Sequence, residues 1–279
     1  MLNKKPIGIV TALHAEASPL IDYFNLKKDI AFTKFEIFSN NRISLIVSGI
    51  GKIKSAVATT YFLGQVDPVC VINFGICGTP KPDYKIGDPV VVNKITDVSG
   101  RREFFPDMIV KHHLREAHVT TFDTPVTMDM AVELNLDLVD MEASGFFQSA
   151  SVFLQPDKIA VLKIVSDYLE LERVTREFVT ELVQTKLSEI DNFIQRFSAV
   201  QFENSGVFTE EENLLLGELS SRLRLTTAQN HLLREWATAY KITSKKEIAF
   251  LNEFLHAKIQ NKNERLLVFK RIRAKLGVA

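Results

Sequence analysis

One pattern recurs along the first two-thirds of this 279-residue chain and limits what it can fold into. An apolar run of strand length closes on a glycine or a carboxylate, and a helix-forming stretch follows. Ile7–Thr11 leads to a helix expected to open near Glu16. Arg42–Val47 ends in Ser48-Gly49-Ile50-Gly51, and a helix is expected from Lys52. Val69–Phe74 is almost wholly apolar, as a strand buried on both faces should be, and gives way to Gly75 and Gly78. Ile159–Val165 is a further central strand, closing on Ser166-Asp167, and Thr175–Phe197 then reads as a long amphipathic helix. Alternating strands and helices predict an α/β architecture over residues 1–198. In open α/β sheets the ligand crevice lies at the carboxyl ends of the strands, which is where the polar punctuation falls.

After about residue 199 strand signals disappear. Gln201–Gly206 is polar and reads as a linker. Helical periods follow over Glu210–Arg224, Thr226–Tyr240, Ser244–His256 and Glu264–Lys275, with Thr209 and Thr243-Ser244 as expected caps. Residues 204–279 are therefore expected to form a small all-α unit. It carries about +4 net charge against about −4 for the body, within a chain whose formal net charge is zero. Such a balance supplies no bulk field for nucleic acid or an anionic membrane. The helices joined near Leu225-Thr-Thr227 would suit a helix-turn-helix reader, but the basic excess is small, and a packing or oligomerisation role is preferred. The apolar run Ile7–Leu13 is too short for a membrane span and lacks signal-peptide flanks, so a cytoplasmic location is expected. Cys70 and Cys77 make neither a disulfide framework nor, with six scattered histidines, a metal motif; His112-His113 lacks further ligands at suitable spacing.

Three carboxylates, Glu16, Glu142 and Asp167, follow apolar runs closely enough to meet at one crevice. Such groups suit cleavage of a glycosidic bond to a purine. Anionic groups stabilise an oxocarbenium-like transition state, and a carboxylic acid can protonate the departing base. A further carboxylate can orient and deprotonate water. Spacing alone is equally compatible with helix-start and surface acids.

The residues around these acids narrow the choice. Ile7-Gly-Ile-Val-Thr-Ala-Leu-His-Ala-Glu16, Ser48-Gly-Ile-Gly-Lys52 and Asn73-Phe-Gly-Ile-Cys-Gly78 with Lys85–Val91 form one ordered set. Val139-Asp-Met-Glu-Ala143 and Ile164-Val-Ser-Asp167 complete it. The set resembles the purine nucleoside phosphorylase and methylthioadenosine/S-adenosylhomocysteine nucleosidase family, and the tail falls outside the resemblance. The resemblance implies a three-layer α/β/α domain with a mixed central sheet. It also implies that Asp167 is the general acid, held by Ser166. Glu142 would accept hydrogen bonds from the ribose hydroxyls, Met141 would pack beneath the sugar, and Glu16 would position the water. Gly49, Gly51, Gly75 and Gly78 would allow tight turns and close backbone approach to the ligand. Lys52 reads as a solvated helix-start lysine. The implied ligand is a small purine nucleoside, the implied assembly a dimer, and no cofactor or metal is needed.

Hydrolysis and phosphorolysis share this fold. The first loop, Thr11-Ala-Leu-His14, has no arginine or glycine, and Ile76 and Asn73 stand where phosphorylases place serine and arginine. A phosphate dianion needs several donors, and Glu16 would repel it, so hydrolysis is favoured. A nucleoside sensor with the tail as its output is the third reading. The stretch from Asp97 to Asp123 is shorter than in the family, and Pro125 and Val126 replace an expected aromatic. Phe104 or Phe105 is then the candidate stacking partner for a base.

Overall fold

The computed structural model describes residues 5–170, 174–204, 207–257 and 262–277. The chain divides into two compact units, Met1–Gln201 and Phe202–Ala279.

In the first unit, β1 (Ile7–Thr11) lies between two parallel neighbours, β4 (Ile43–Val47) and β5 (Cys70–Gly78). The short strands β2 (Lys27–Lys28) and β3 (Ile37–Ser39) extend the sheet antiparallel beyond β4. Helix α1 (His14–Tyr23) connects β1 to β4, and α2 (Lys52–Val66) connects β4 back to β5. These crossovers run in opposite directions along the sheet, so right-handed connections place their helices on opposite faces.

The rest of the sheet mixes directions. Strand β10 (Ile159–Asp167) is parallel to β5 and antiparallel to β6 (Pro89–Asp97). Strand β6 pairs with β8 (Arg115–Thr121) and with the short β7 (Arg102–Phe104); β8 in turn pairs with β9 (Leu138–Asp140). Strand β9 then meets β5 again through Gly78 and Val139. The strands β5, β10, β6, β8 and β9 therefore close on themselves, and the carboxyl ends of β5, β9 and β10 come together.

Helix α4 (Ala143–Ala150) packs with α2 over one core, built from Val10, Phe62, Val71, Val92, Val119, Phe146 and Val161. Helix α5 (Arg176–Asn204) meets α1, where the Thr180 hydroxyl donates to the Ala15 carbonyl at 3.3 Å. A smaller cluster of Phe122, Val126, Ala131, Leu136 and Val139 forms around α3 (Met128–Glu133).

The second unit holds α6 (Glu210–Arg222), α7 (Thr227–Ser244), a 3-10 helix over Ala249–His256 and α8 (Lys262–Lys275). Its core is separate and includes Leu216, Leu219, Leu233, Ile248, Leu251 and Ile272. Thr209 caps α6 as expected. The Thr209 hydroxyl accepts from the Glu212 N–H at 3.2 Å, and the Glu212 carboxylate accepts from the Thr209 N–H at 2.9 Å. That carboxylate also accepts from the Ile248 N–H at 3.1 Å and from Lys241.

Two expectations are corrected. Gln201–Asn204 is not a linker but the last turn of α5; Ser205–Gly206, like Met1–Lys4, lies outside the described residues. Thr243-Ser244 caps no helix start, because α7 runs through Ser244 and stops at Lys245, which adopts φ 56. A left-handed residue is a common helix stop.

Candidate active site

Strand β5 is the platform. It runs on through Gly75 and Gly78, so these glycines lie within the strand and not in a turn beyond it. A larger residue at either position would displace what sits above. A Cβ on Gly75 would lie 2.8 Å from Glu16 Oε1, and one on Gly78 would lie 3.1 Å from Asp167 Oδ1 and 2.6 Å from Leu169. The strand surrenders two side chains so that two carboxylates can lie against its backbone.

Glu16 comes from the first turn of α1 and is buried. Its Oε2 accepts from the N–H groups of Ala12 and Leu13, both at 2.9 Å, and its Oε1 accepts from Ile76 N–H at 3.0 Å. Burial raises its carboxyl pKa, opposed by the Leu13 hydrogen bond and the charge of Lys163. Oε1 keeps one lone pair for a further donor such as water.

Asp167 ends β10. Its Oδ1 accepts from Leu169 N–H at 2.8 Å, and its Oδ2 lies 2.5 Å from Ser166 Oγ. The same Ser166 hydroxyl lies 3.1 Å from the Cys77 carbonyl. One hydroxyl proton cannot serve both acceptors. When Asp167 is ionised, Ser166 donates to it. When Asp167 is protonated, Asp167 donates to Ser166 and Ser166 turns to Cys77. The pair therefore accommodates both states that a general acid passes through.

Glu142 stands at the N-cap of α4, yet its side chain does not cap that helix. It accepts instead from the Gly51 N–H at 2.8 Å. Gly51 has φ 107 and Gly49 has φ 86, so both loop glycines occupy backbone territory that side chains disfavour. Met141 beside it is half-buried.

Sequence reasoning passed over two residues beneath these acids. Lys163, in the middle of β10, and Asp140, at the end of β9, form an ion pair at 2.8 Å with side chains 1% and 0% exposed. Asp140 also accepts from the Thr121 hydroxyl at 2.7 Å and the Ala143 N–H at 2.8 Å. Burial alone would lower the Lys163 pKa, but Asp140 and then Glu142 reverse this, and the net direction is upward. A lysine within an otherwise apolar strand was the available signal, since such a charge needs a buried partner.

Burial pushes Glu142 up to about 7, against the opposing charge of Lys163. A carboxyl raised in the folded state binds its proton more tightly there than in the unfolded chain. Stability should therefore fall as pH rises from the ordinary glutamate value through about 7, and level off above it. Glu142→Gln should flatten that slope in denaturant midpoints taken from pH 5 to 8. An unchanged slope would show that other groups carry it.

Other expectations resolve differently. Lys52 is not a solvated lysine: its side chain is 14% exposed and bridges Asp97 and Asp123. Phe104 packs on Phe147 in the core, with ring centroids 5.7 Å apart, and Phe105 is exposed beneath the Lys94 ammonium. Val126 and Phe122 are core residues of the cluster around α3. His112 packs edge-on to Phe193, and among the described residues no group of acidic, His and Cys side chains is placed to hold a metal. No described helix is long and apolar enough to cross a membrane. A shallow apolar depression lies at the opposite end of β10, against Ile159, Ala160 and Phe197, away from the carboxylates.

Residues 6–120 match the family model described as the phosphorylase superfamily. The 5′-methylthioadenosine/S-adenosylhomocysteine nucleosidase of Pseudoalteromonas translucida is 30% identical over 93 residues, which are 32% of this chain and 40% of that protein. The enzyme of the same name from Desulfotalea psychrophila is 24% identical over 157 residues, 54% of this chain and 61% of that one. The match thus spans between 40% and 61% of these curated relatives. The crystal structure of the Helicobacter pylori nucleosidase with butyl-thio-DADMe-Immucillin-A superposes with a TM-score of 0.56 at 19% identity, covering 69% of this chain and 98% of that one.

Proposed function

We propose, from the match of residues 6–120 to the phosphorylase superfamily model, that the protein hydrolyses the N-glycosidic bond of an adenosine-type or 5′-thio-substituted nucleoside. Water adds its oxygen to C1′ of the sugar as the bond to the base breaks. Asp167 delivers a proton to the departing purine, and Glu16 orients the water and takes a proton from it. Glu142 accepts from the ribose hydroxyls, and Met141 packs against the sugar. Asp140 offsets Lys163, and Glu16 and Glu142, when ionised, add negative charge that suits an oxocarbenium-like sugar, joined by Asp167 once it has given up its proton. The relatives named for this reaction support the substrate class.

The observation that carries hydrolysis over phosphorolysis is the occupation of the platform's donors. A phosphate beside Gly75-Ile76 would need the backbone N–H groups there. Those of Ala12, Leu13 and Ile76 are already committed to Glu16, which is itself an anion. The proposal includes self-association as a dimer, takes residues 1–198 as the catalytic body, and gives the helical tail a role apart from the chemistry.

Base release from 5′-methylthioadenosine and adenosine, followed with and without inorganic phosphate, tests this. Free base and free sugar should appear at the same rate in both, and Glu16→Gln should slow release about a hundredfold or more. Release only in the presence of phosphate, with a sugar phosphate as product, would overturn the hydrolytic reading.

A further inference from the structure

We infer that Lys52 is a positioning residue that fixes Glu142 through Gly51, and that the site's preference for a hydroxylated sugar depends on it. This rests on the reading of Glu142 as the acceptor for ribose hydroxyls.

Lys52 is the first residue of α2 and directly follows Gly51, whose N–H meets Glu142. Its ammonium lies 2.7 Å from Asp97 Oδ1, 3.0 Å from Asp123 Oδ1 and 3.0 Å from Ser99 Oγ. An ammonium has three protons, and these three partners account for them. None is left for a ligand, so Lys52 can act on substrate only through what it holds in place.

What it holds is specific. Asp97 ends β6, and Asp123 follows β8 by two residues. Both carboxylates bracket the stretch that is shorter than in the resembling family. Asp97 is buried, and a Cβ on Gly100 would lie 2.7 Å from its Oδ2, so the turn after β6 closes directly over this carboxylate. At the other end of the residue, a Cβ on Gly145 would lie 2.2 Å from the Lys52 carbonyl oxygen. Gly145 is three residues past Glu142, in the first turn of α4. The main chain of Lys52 thus presses on the helix that carries Glu142, and its side chain ties the same point to the ends of β6 and β8. Gly51, flexible by composition, is followed directly by this anchored residue and has its N–H aimed at the acid.

The test is direct binding of adenosine and 3′-deoxyadenosine to the full chain by calorimetry, in the otherwise wild-type protein and in Lys52→Met, Asp123→Asn and Glu142→Gln, all carrying Asp167→Asn so that neither nucleoside is cleaved during titration. The wild type should bind adenosine about tenfold more tightly, as loss of one hydrogen bond to a charged acceptor implies. Glu142→Gln and Lys52→Met should each bring that ratio close to one, and Asp123→Asn, which leaves Asp97 in place, should reduce it by about half. Should Lys52→Met fail to fold, the half-exposed Asp123→Asn decides alone. A variant that weakens both nucleosides equally and keeps the ratio would reduce Lys52 to a structural residue and sink the inference. Equal affinities in the wild type, or no binding, would remove the sugar-binding reading of Glu142 and this inference with it.

Discussion

Asp167→Asn should lower the rate of base release about a thousandfold, with nucleoside binding little changed. Asparagine preserves the shape of the side chain and an oxygen for the Leu169 N–H, which lies 2.8 Å from Oδ1. It cannot supply a proton to a leaving purine. The Ser166 hydroxyl would lose the alternation between Asp167 and the Cys77 carbonyl, because an amide never cycles between charged and neutral forms. Single-turnover base release from 5′-methylthioadenosine separates this loss from weaker binding. A variant that keeps a tenth of the wild-type rate would take Asp167 out of the general-acid role and leave it as an orienting group.

The largest effect on stability is expected from Lys163→Met. The Lys163–Asp140 pair is almost without solvent, and removal of one partner leaves the Asp140 carboxylate buried beside Glu142. Breaking such a pair costs about 3–5 kcal/mol, because the remaining charge has lost its compensation. Urea or guanidinium midpoints should show it. The added substitution Asp140→Asn should recover part of the loss, since it removes the uncompensated charge and its single amide oxygen can still accept from either the Thr121 hydroxyl or the Ala143 N–H, which in Asp140 meet separate oxygens. Lys163 also opposes the upward push of burial on Glu16 and Glu142, so the titration of Glu142 should move further above 7 in the single variant. A loss of stability below about 1 kcal/mol would be typical of an exposed pair and would contradict this burial.

Much of the fold could be read directly. The strands β1, β4, β5 and β10 were visible as apolar runs with polar ends, because a strand buried on both faces has almost no freedom in its composition. Glu16, Glu142 and Asp167 were visible because short ordered motifs surround them. Three features escaped for physical reasons. The closure of β9 onto β5 rests on the single pairing of Gly78 with Val139, and no local pattern encodes a contact across sixty residues. The roles of Gly75 and Gly78 depend on side chains from α1 and β10 that approach them only in the folded state. Lys52 and Lys163 looked like ordinary lysines because their acidic partners are remote in the chain: Asp97 and Asp123 for one, Asp140 for the other. In the tail, the capping box at Thr209 was legible since it lies within four residues. The end of α7 was not, because Thr243-Ser244 has the composition of a helix start and the helix simply runs through it.

The return of β9 to β5 also governs when the site comes into being. Glu16 and its backbone cradle need only β1, α1 and β5, which are complete once the chain has folded as far as Gly78. Glu142 and Asp140 join them only when the ring of strands shuts, and Asp167 only when β10 has slotted between β5 and β6. Pairings of such long sequence separation form slowly. On the roles proposed for these acids, a nascent or half-assembled chain would hold Glu16 without Asp167 or Glu142, and reactivity would arrive in one late step.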